Sequence, residues 1–394
     1  MKILRVIDTM NPALGGPCQG IRNSIPALKK IGIENEVVTL DDPSAPFIAS
    51  DSFKTHALGP AKGPWRYGSR LLPWLLDNLH RFDIVIVHGL WLYHGYAAGR
   101  AVHQFRNASK SNKSKPKLFV MPHGMLDPYF QRAPERRLKA IRNWIYWKLI
   151  ENKLINGADG VLFTCEAELV LAREAFRPYH PKRELNVGYG IQEPPTFVPS
   201  MREAFLKKCP HVADKPYILF LSRVHEKKGA DLLIKAYSSI RKSDSPKLVI
   251  AGPGMESDYG KSLSHLVKEN GLEDSVHFAG MLSGDAKWGA FYGCESFALP
   301  SHQENFGISV AEALACGKAV LISNQVNIWR EIKKGGAGIV SADTLEGTKD
   351  SLAHWTNLSQ DERSEMQLRA KETYKINFEI GPAATQMAQA LNSN

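Results

Sequence analysis

Ser296-Phe297-Ala298-Leu299-Pro300-Ser301-His302-Gln303-Glu304-Asn305-Phe306-Gly307-Ile308-Ser309-Val310-Ala311-Glu312-Ala313-Leu314-Ala315-Cys316-Gly317 runs from a short apolar strand through a polar loop into a helix. Pro300 ends the strand, and the helix is expected to begin near Gly307 and stop at Gly317, where a glycine just past the last turn is favoured. A strand, a loop and a helix in this order make one unit of a parallel sheet covered by helices. The first amides of that helix, those of Asn305, Phe306 and Gly307, point out of its N-terminus toward hydroxyl or phosphate oxygens. Glu304 stands at the mouth, and Glu312 follows about two turns along. Counted at roughly 100° per residue, eight residues leave them about 80° apart, so both carboxylates can line one groove. Paired carboxylates suit sugar hydroxyls, since each accepts both hydrogen bonds of a diol.

The same alternation continues in both directions. Strands are predicted near 3–7, 36–40, 83–87, 118–121 and 160–164 in the first half, and near 217–221, 247–251, 276–279, 296–299 and 319–322 in the second. Helical stretches lie between them. Between the halves, Gly190-Ile191-Gln192-Glu193-Pro194-Pro195-Thr196-Phe197-Val198-Pro199 carries three prolines and can continue neither element, so it reads as a linker. The fold class is therefore α/β, with two doubly wound parallel-sheet domains over 1–195 and 196–373. Such sheets bind ligands at the carboxyl ends of their strands, so two of them are expected to face a common cleft. A last helix, predicted over Tyr374–Leu391 within a C-terminal segment 374–394, is expected to pack back on the first domain.

Composition agrees with an ordinary globular chain of 394 residues, 43% hydrophobic and 23% charged, long enough for two cores. No apolar run approaches the roughly 20 residues that cross a bilayer. Met1-Lys2-Ile3-Leu4-Arg5-Val6-Ile7-Asp8 reaches an acidic residue too soon for a signal peptide and reads as a first strand. Five dispersed cysteines without metal-ligand spacing argue against a disulfide framework or a zinc site and point to a reducing, cytoplasmic setting.

The net charge of +10 is unevenly placed. Residues 1–199 hold 27 Lys and Arg against 17 Asp and Glu, whereas residues 200–394 hold 23 of each. Arg132–Lys153 alone carries seven basic side chains against Glu135 and Glu151, with Trp144, Tyr146 and Trp147 interleaved. An apolar stripe on a helix more often faces a core. Basic charge with large aromatics also suits an anionic membrane surface, where the charges collect and the rings enter the interface. No RNA- or DNA-binding motif accompanies the charge, which places nucleic acid below a membrane as the partner.

Other strand ends carry chemistry too. After strand 217–221, Ser222-Arg223-Val224-His225-Glu226-Lys227-Lys228-Gly229 sets a fork donor and a point charge, Arg223 and Lys228, where a diphosphate can be held. After strand 3–7, Asn11-Pro12-Ala13-Leu14-Gly15-Gly16-Pro17 lets backbone approach a ligand, but it is not a dinucleotide fingerprint. Met121-Pro122-His123-Gly124-Met125-Leu126-Asp127-Pro128 puts His123 at a sheet edge with Asp127 nearby, and His88-Gly89-Leu90-Trp91 has the same placement for meeting an acceptor. Ala251-Gly252-Pro253-Gly254 and Phe278-Ala279-Gly280-Met281-Leu282 offer backbone walls for a flat base. No Asp-x-Asp occurs, so the two cations, and no metal, are expected to hold the diphosphate.

Taken in order, Ser222-Arg223-x4-Lys228-Gly229, Gly252-Pro253-Gly254, Phe278-x-Gly280 and Glu304-Asn305-Phe306-Gly307-x4-Glu312 resemble family 4 of the retaining glycosyltransferases, which have the GT-B fold of two Rossmann-like domains. His123-Gly124-Met125-Leu126-Asp127-Pro128 resembles members that build bacterial surface polysaccharides. The resemblance implies that Arg223 and Lys228 hold the donor diphosphate, and that Glu304 and the Asn305–Gly307 amides hold the donor sugar. It implies further that Glu312 holds the ribose diol, that the Met281 and Leu282 backbone beside Gly252 holds the base, that Gly16 contacts phosphate, and that His123 is the active-site histidine. The Arg223/Lys228 and Glu304/Glu312 constellation leads to transfer from a UDP-sugar, UDP-glucose first, as co-substrate and with no cofactor, to a glycan or lipid-linked acceptor, and the basic segment Arg132–Lys153 leads to a cytoplasmic protein peripheral at the inner face of the membrane. An NAD-dependent oxidoreductase, which lacks its glycine fingerprint here, and a basic nucleic-acid-binding protein are the competing classes.

Overall fold

Ile84-Val85-Ile86-Val87-His88 is buried at every position. A run of β-branched residues with no polar alternation forms a strand covered on both faces, the signature of a parallel sheet between helix layers. The computed structural model, which describes residues 1–108, 115–133, 136–242 and 245–393, contains two such sheets. Glu135 of the basic segment and Asn394 lie outside the described residues.

The first unit comprises Met1–Gly190 and Ile380–Asn394, and the second Ile191–Glu379. The chain thus leaves the first unit at Gly190, ahead of the prolines, and not at 195. The first sheet orders its strands β3-β2-β1-β4-β5-β6-β7: β1 Lys2–Ile7, β2 Glu34–Thr39, β3 Lys54–Ala57, β4 Ile84–His88, β5 Lys117–Met121, β6 Gly160–Phe163 and β7 Glu184–Asn186. The second orders β10-β9-β8-β11-β12-β13: β8 Tyr217–Leu221, β9 Lys247–Ala251, β10 Val276–Gly280, β11 Ser296–Leu299, β12 Ala319–Ser323 and β13 Gly338–Ser341. The named strands pair in parallel throughout. The sequence reading missed β3, β7 and β13, which are short edge strands only partly covered, so their apolar signal is weak.

Strand order reverses between β1 and β4 in the first sheet and between β8 and β11 in the second. Neighbouring strands then send their connections to opposite faces, which opens a crevice at their carboxyl ends. Inside the first unit, Leu4, Val6, Val85, Val87 and Val120 pack with Trp147 and Phe163 on one face, while Ile7, Val37, Ile21 and Ile25 pack on the other.

The expected helix Tyr374–Leu391 is broken. One helix runs Gln360–Asn377 and a new one Ile380–Asn392. Phe378 leaves helical geometry, buries its ring edge-on against Phe306, and accepts the Ile191 N–H at its carbonyl (2.9 Å). The last helix packs on Gly16–Lys30 of the first unit, and Arg183 donates to the Ser393 carbonyl (2.7 Å).

The basic segment forms a helix Arg137–Tyr146 that passes through a wider π turn, Trp147–Glu151, into Asn152–Gly157. Trp147 is fully buried and stacks on Phe176. Leu138, Ile141, Trp144, Ile145 and Leu149 instead face outward, Leu138 being 84% and Trp144 56% exposed, so a core-facing stripe accounts only for Trp147.

The π turn carries Glu151 inward. One carboxylate oxygen accepts the Trp91 N–H (2.7 Å), and the other has no partner among the described residues. Burial pushes the Glu151 carboxyl up to about 7, with the Trp91 N–H opposing. A raised folded-state pKa means that this group's stability contribution is full below the ordinary carboxyl value and is lost as pH rises through 7. Glu151→Gln keeps an acceptor for Trp91 and removes the titration. Thermal melts should show little difference between variant and wild type near pH 5, and a variant gaining up to roughly 3 kcal/mol by pH 8.5.

Candidate functional site

The carboxyl ends of β8 and β11 build the second unit's site. Beyond β8 the chain makes a short turn, Glu226–Lys228, and enters the helix Ala230–Ile240 through Gly229, whose φ is +67°. A side chain at Gly229 would place its Cβ 2.2 Å from the Pro300 carbonyl oxygen, so glycine lets the β8 and β11 loops touch. The His302 N–H (2.8 Å) and the Ser301 hydroxyl (2.9 Å) both donate to the Lys227 carbonyl, fixing that approach. As a result Lys228 and Glu304 form an ion pair, with the lysine side chain 8% and the glutamate side chain 21% exposed.

Glu304 is not on the helix. Gly307, in the left-handed region, caps a helix that starts at Ile308 and ends at Ala315. Glu304 instead lies in a one-residue parallel bridge with Val326, its N–H donating to Gln325 O and its carbonyl accepting the Asn327 N–H, both at 3.0 Å. The helical count from Glu304 to Glu312 therefore does not describe their placement. The loop 325–327 holds Glu304 in place, and this was invisible in the sequence because it arrives from beyond β12.

Burial alone would push the Glu304 carboxyl up. The Lys228 charge and hydrogen bond, helped by Lys227 and the Asn305 N–H, outweigh it and hold Glu304 below the usual carboxylate range. Glu312 pairs with Lys287 at 2.5 Å. There burial wins, and the carboxyl sits above its ordinary value despite the lysine. Lys287 was missed by the sequence reading. Its signal was a cation early in the helix Gly284–Gly293, where the helix dipole disfavours positive charge unless an anion is close.

Of the remaining expected positions in this unit, Arg223 is exposed. Gly252 has φ +139°, and a Cβ there would lie 1.8 Å from the Ser222 carbonyl oxygen. Its N–H donates to Gly280 O (2.8 Å), while the Val224 N–H donates to Pro253 O (2.8 Å), so the β8, β9 and β10 ends form one laced wall. Met281 projects outward from that wall, and Leu282 is buried. Phe306 is buried against Phe378, leaving its backbone as the part that can meet a ligand. Asn305 accepts a long bond from Asn327 (3.5 Å).

In the first unit, Gly15 precedes a helix Gly16–Lys30 that has no side-chain cap and carries Pro17, without an N–H, in its first turn, and the Gly16 carbonyl accepts the Tyr189 hydroxyl (2.8 Å). His123 is half-buried at the end of β5 with φ +53°, a strained conformation for a residue other than glycine. His88 corrects its expected role. It is 2% exposed, with one ring nitrogen 3.3 Å from Arg5 and the other 2.9 Å from His123, so no ring nitrogen is left to meet an acceptor. Asp127 is buried and accepts the Tyr129 N–H (2.8 Å), a local turn contact that gives it structural work.

A cavity of about 400 Å³ lies beside the basic helix, lined by Gly99, Arg100, His103, Arg106, Leu149 and Lys153. Leu149 also belongs to the outward-facing stripe, and Lys153 flanks it. Among the described residues no helix is long and apolar enough to cross a membrane, and no group of three or more His, Cys, Asp or Glu could hold a metal.

Residues 201–373 match the family of glycosyl transferases group 1, and residues 15–190 match the glycosyl transferase 4-like domain. The chain is similar to an uncharacterized glycosyltransferase of Methanocaldococcus jannaschii, 35% identical over 126 residues, which span 32% of each protein. It is also similar to the GDP-mannose:cellobiosyl-diphosphopolyprenol alpha-mannosyltransferase of Xanthomonas oryzae pv. oryzae, 25% identical over 365 residues, 89% of this chain and 86% of that one. The crystal structure of Anabaena Alr3699/HepE in complex with UDP and glucose superposes with a TM-score of 0.76 at 17% identity, covering both chains fully. The chain belongs to the family 4 type of glycosyltransferases and has their GT-B fold.

Proposed function

We propose that this protein transfers a hexose from a UDP-sugar, with UDP-glucose the first candidate, to a glycan or lipid-linked acceptor during surface polysaccharide synthesis, with retention and without a metal. The observation that carries the reading is the pairing of Lys228 with Glu304 at the carboxyl ends of β8 and β11, beside a second pair, Lys287 with Glu312, carried by the helices Gly284–Gly293 and Ile308–Ala315. In the ligand-free protein each cation is neutralised by a glutamate. A donor diphosphate would take over the Lys228 ammonium, with Arg223 as a second donor. That frees Glu304 to accept hydroxyls of the sugar. Glu312, paired with Lys287, is placed to accept the ribose diol. The Gly15–Gly16 backbone and the edge position of His123 are the first unit's proposed ligand contacts.

The departing diphosphate carries the developing charge, and two cations supply what a metal otherwise would. The proposed retention follows the family pattern, in which the leaving diphosphate guides the acceptor hydroxyl to the same face. The Xanthomonas relative uses a diphosphopolyprenol acceptor and GDP-mannose, and the Anabaena protein binds UDP with glucose. The first supports a lipid-linked acceptor here, and the second supports a uridine donor.

The outward-facing Leu138, Ile141, Trp144, Ile145 and Leu149, flanked by exposed Arg137, Lys139, Arg142, Lys148 and Lys153, support attachment to an anionic membrane surface.

Calorimetric titration with UDP, GDP, UDP-glucose and GDP-mannose tests the donor. Binding of the uridine pair alone is expected, and selective binding of the guanosine pair would overturn the donor assignment. Lys228→Ala should cut turnover at least about a hundredfold, as loss of a transition-state charge contact does, with the fold retained by circular dichroism. EDTA should leave the rate unchanged.

Sedimentation with anionic vesicles tests the membrane face. Binding should weaken as salt rises and should be lost when Arg137, Arg142 and Lys148 are reversed to glutamate. Equal binding of that variant would rule the face out.

A further inference from the structure

Arg5 is an anomaly in β1. Its guanidinium is 1% exposed, and no carboxylate pairs with it among the described residues. A buried charge without a counter-ion is costly, so its presence calls for a role. Its Nε donates to the Asn35 side-chain oxygen (2.9 Å), and Nη2 lies 3.9 Å from the Met387 sulfur of the last helix. The third contact is Nη1 to His88 Nε2, at 3.3 Å. On its other side His88 Nδ1 lies 2.9 Å from His123 Nε2. The three residues border a small cavity of about 30 Å³, with Tyr189 and Met387.

We infer that Arg5 and His88 are positioning residues that lock His123 in its Nδ1–H form, so that His123 offers its ligand a hydrogen-bond donor and not a base. This deepens the reading of His123 as a ligand contact.

The argument follows the donors. A guanidinium has only N–H groups, so His88 Nε2 must accept. A neutral His88 whose Nε2 accepts carries its proton on Nδ1, and that N–H can only donate, to His123 Nε2. A neutral His123 whose Nε2 accepts in turn carries its proton on Nδ1. Both rings are neutral at working pH. Burial and then the Arg5 charge hold His88 well below its ordinary value and His123 down at about 3, and Arg5, lowered by burial to about 10, stays charged. His94 braces the chain from behind, its Nε2–H donating to the His88 carbonyl (2.9 Å). His123 Nδ1 has no hydrogen-bond partner among the described residues, and His123 is partly exposed just past the carboxyl end of β5. The free polar atom of the ring is therefore an N–H. It can stabilise an oxygen of the ligand, while the acceptor's proton must leave by another route.

Long-range nitrogen–proton NMR of the ligand-free protein, with histidine labelled on the ring nitrogens, reads the tautomers directly. Both His88 and His123 should appear as Nδ1–H forms, unchanged from pH 5.5 to 8. An Nε2–H form at His123 in the wild type overturns the proposal without any variant. His88→Phe should release His123 toward Nε2–H, and Arg5→Met should release His88. Turnover in each should fall about tenfold to a hundredfold, as loss of an orienting partner does, with the donor KM little changed. Tautomers unchanged in a folded Arg5→Met protein would also overturn it. Because the NMR needs no substrate, Nδ1–H forms in a protein that turns over no nucleotide sugar would sink the proposed function and leave the relay standing.

Discussion

The second unit is organised around one ion pair. Lys228 and Glu304 come from loops after β8 and β11, seventy-six positions apart, and they meet because those strands are neighbours at the point where the sheet's order reverses. Either charge alone would be costly at such low exposure; as a pair each supplies the other's counter-charge. Much of the nearby backbone serves that meeting: Gly229 permits the approach of Pro300, Ser301 and His302 tether it, and the 325–327 loop clamps Glu304 from the far side.

The two units use charge differently. The second holds 23 Lys and Arg against 24 Asp and Glu and keeps Lys228 and Lys287 paired with glutamates. The first carries the whole positive excess and spends it at the surface of the basic helix and, in a single copy, deep beneath His123. Arg5 works through a line of nitrogens, where a permanent donor at one end dictates which atom carries the proton at the other. This requires only fixed geometry, and the packing of β1, β4, β5 and the last helix around it supplies that.

The last helix ties the C-terminus to this arrangement. It leaves the second unit at Phe378, whose ring is part of the packing under Phe306, and delivers Met387 to Arg5. The break at Phe378 therefore parts a ring packed within the second unit from a helix packed within the first.

The sequence by itself determined the parallel-sheet class, the strands with continuous apolar runs and the glycines at loop ends, because each of these leaves a local imprint: period, breaker or spacing. It also showed where the charge excess lies. Only the tertiary structure decided that Glu304 stands off the helix, that Lys287 neutralises Glu312, that His88 is sealed behind His123, and that Trp147 turns inward while Trp144 turns out. Those facts depend on which strands are neighbours and on a π turn that shifts the helix phase, and residues far apart in the chain carry no local mark of meeting.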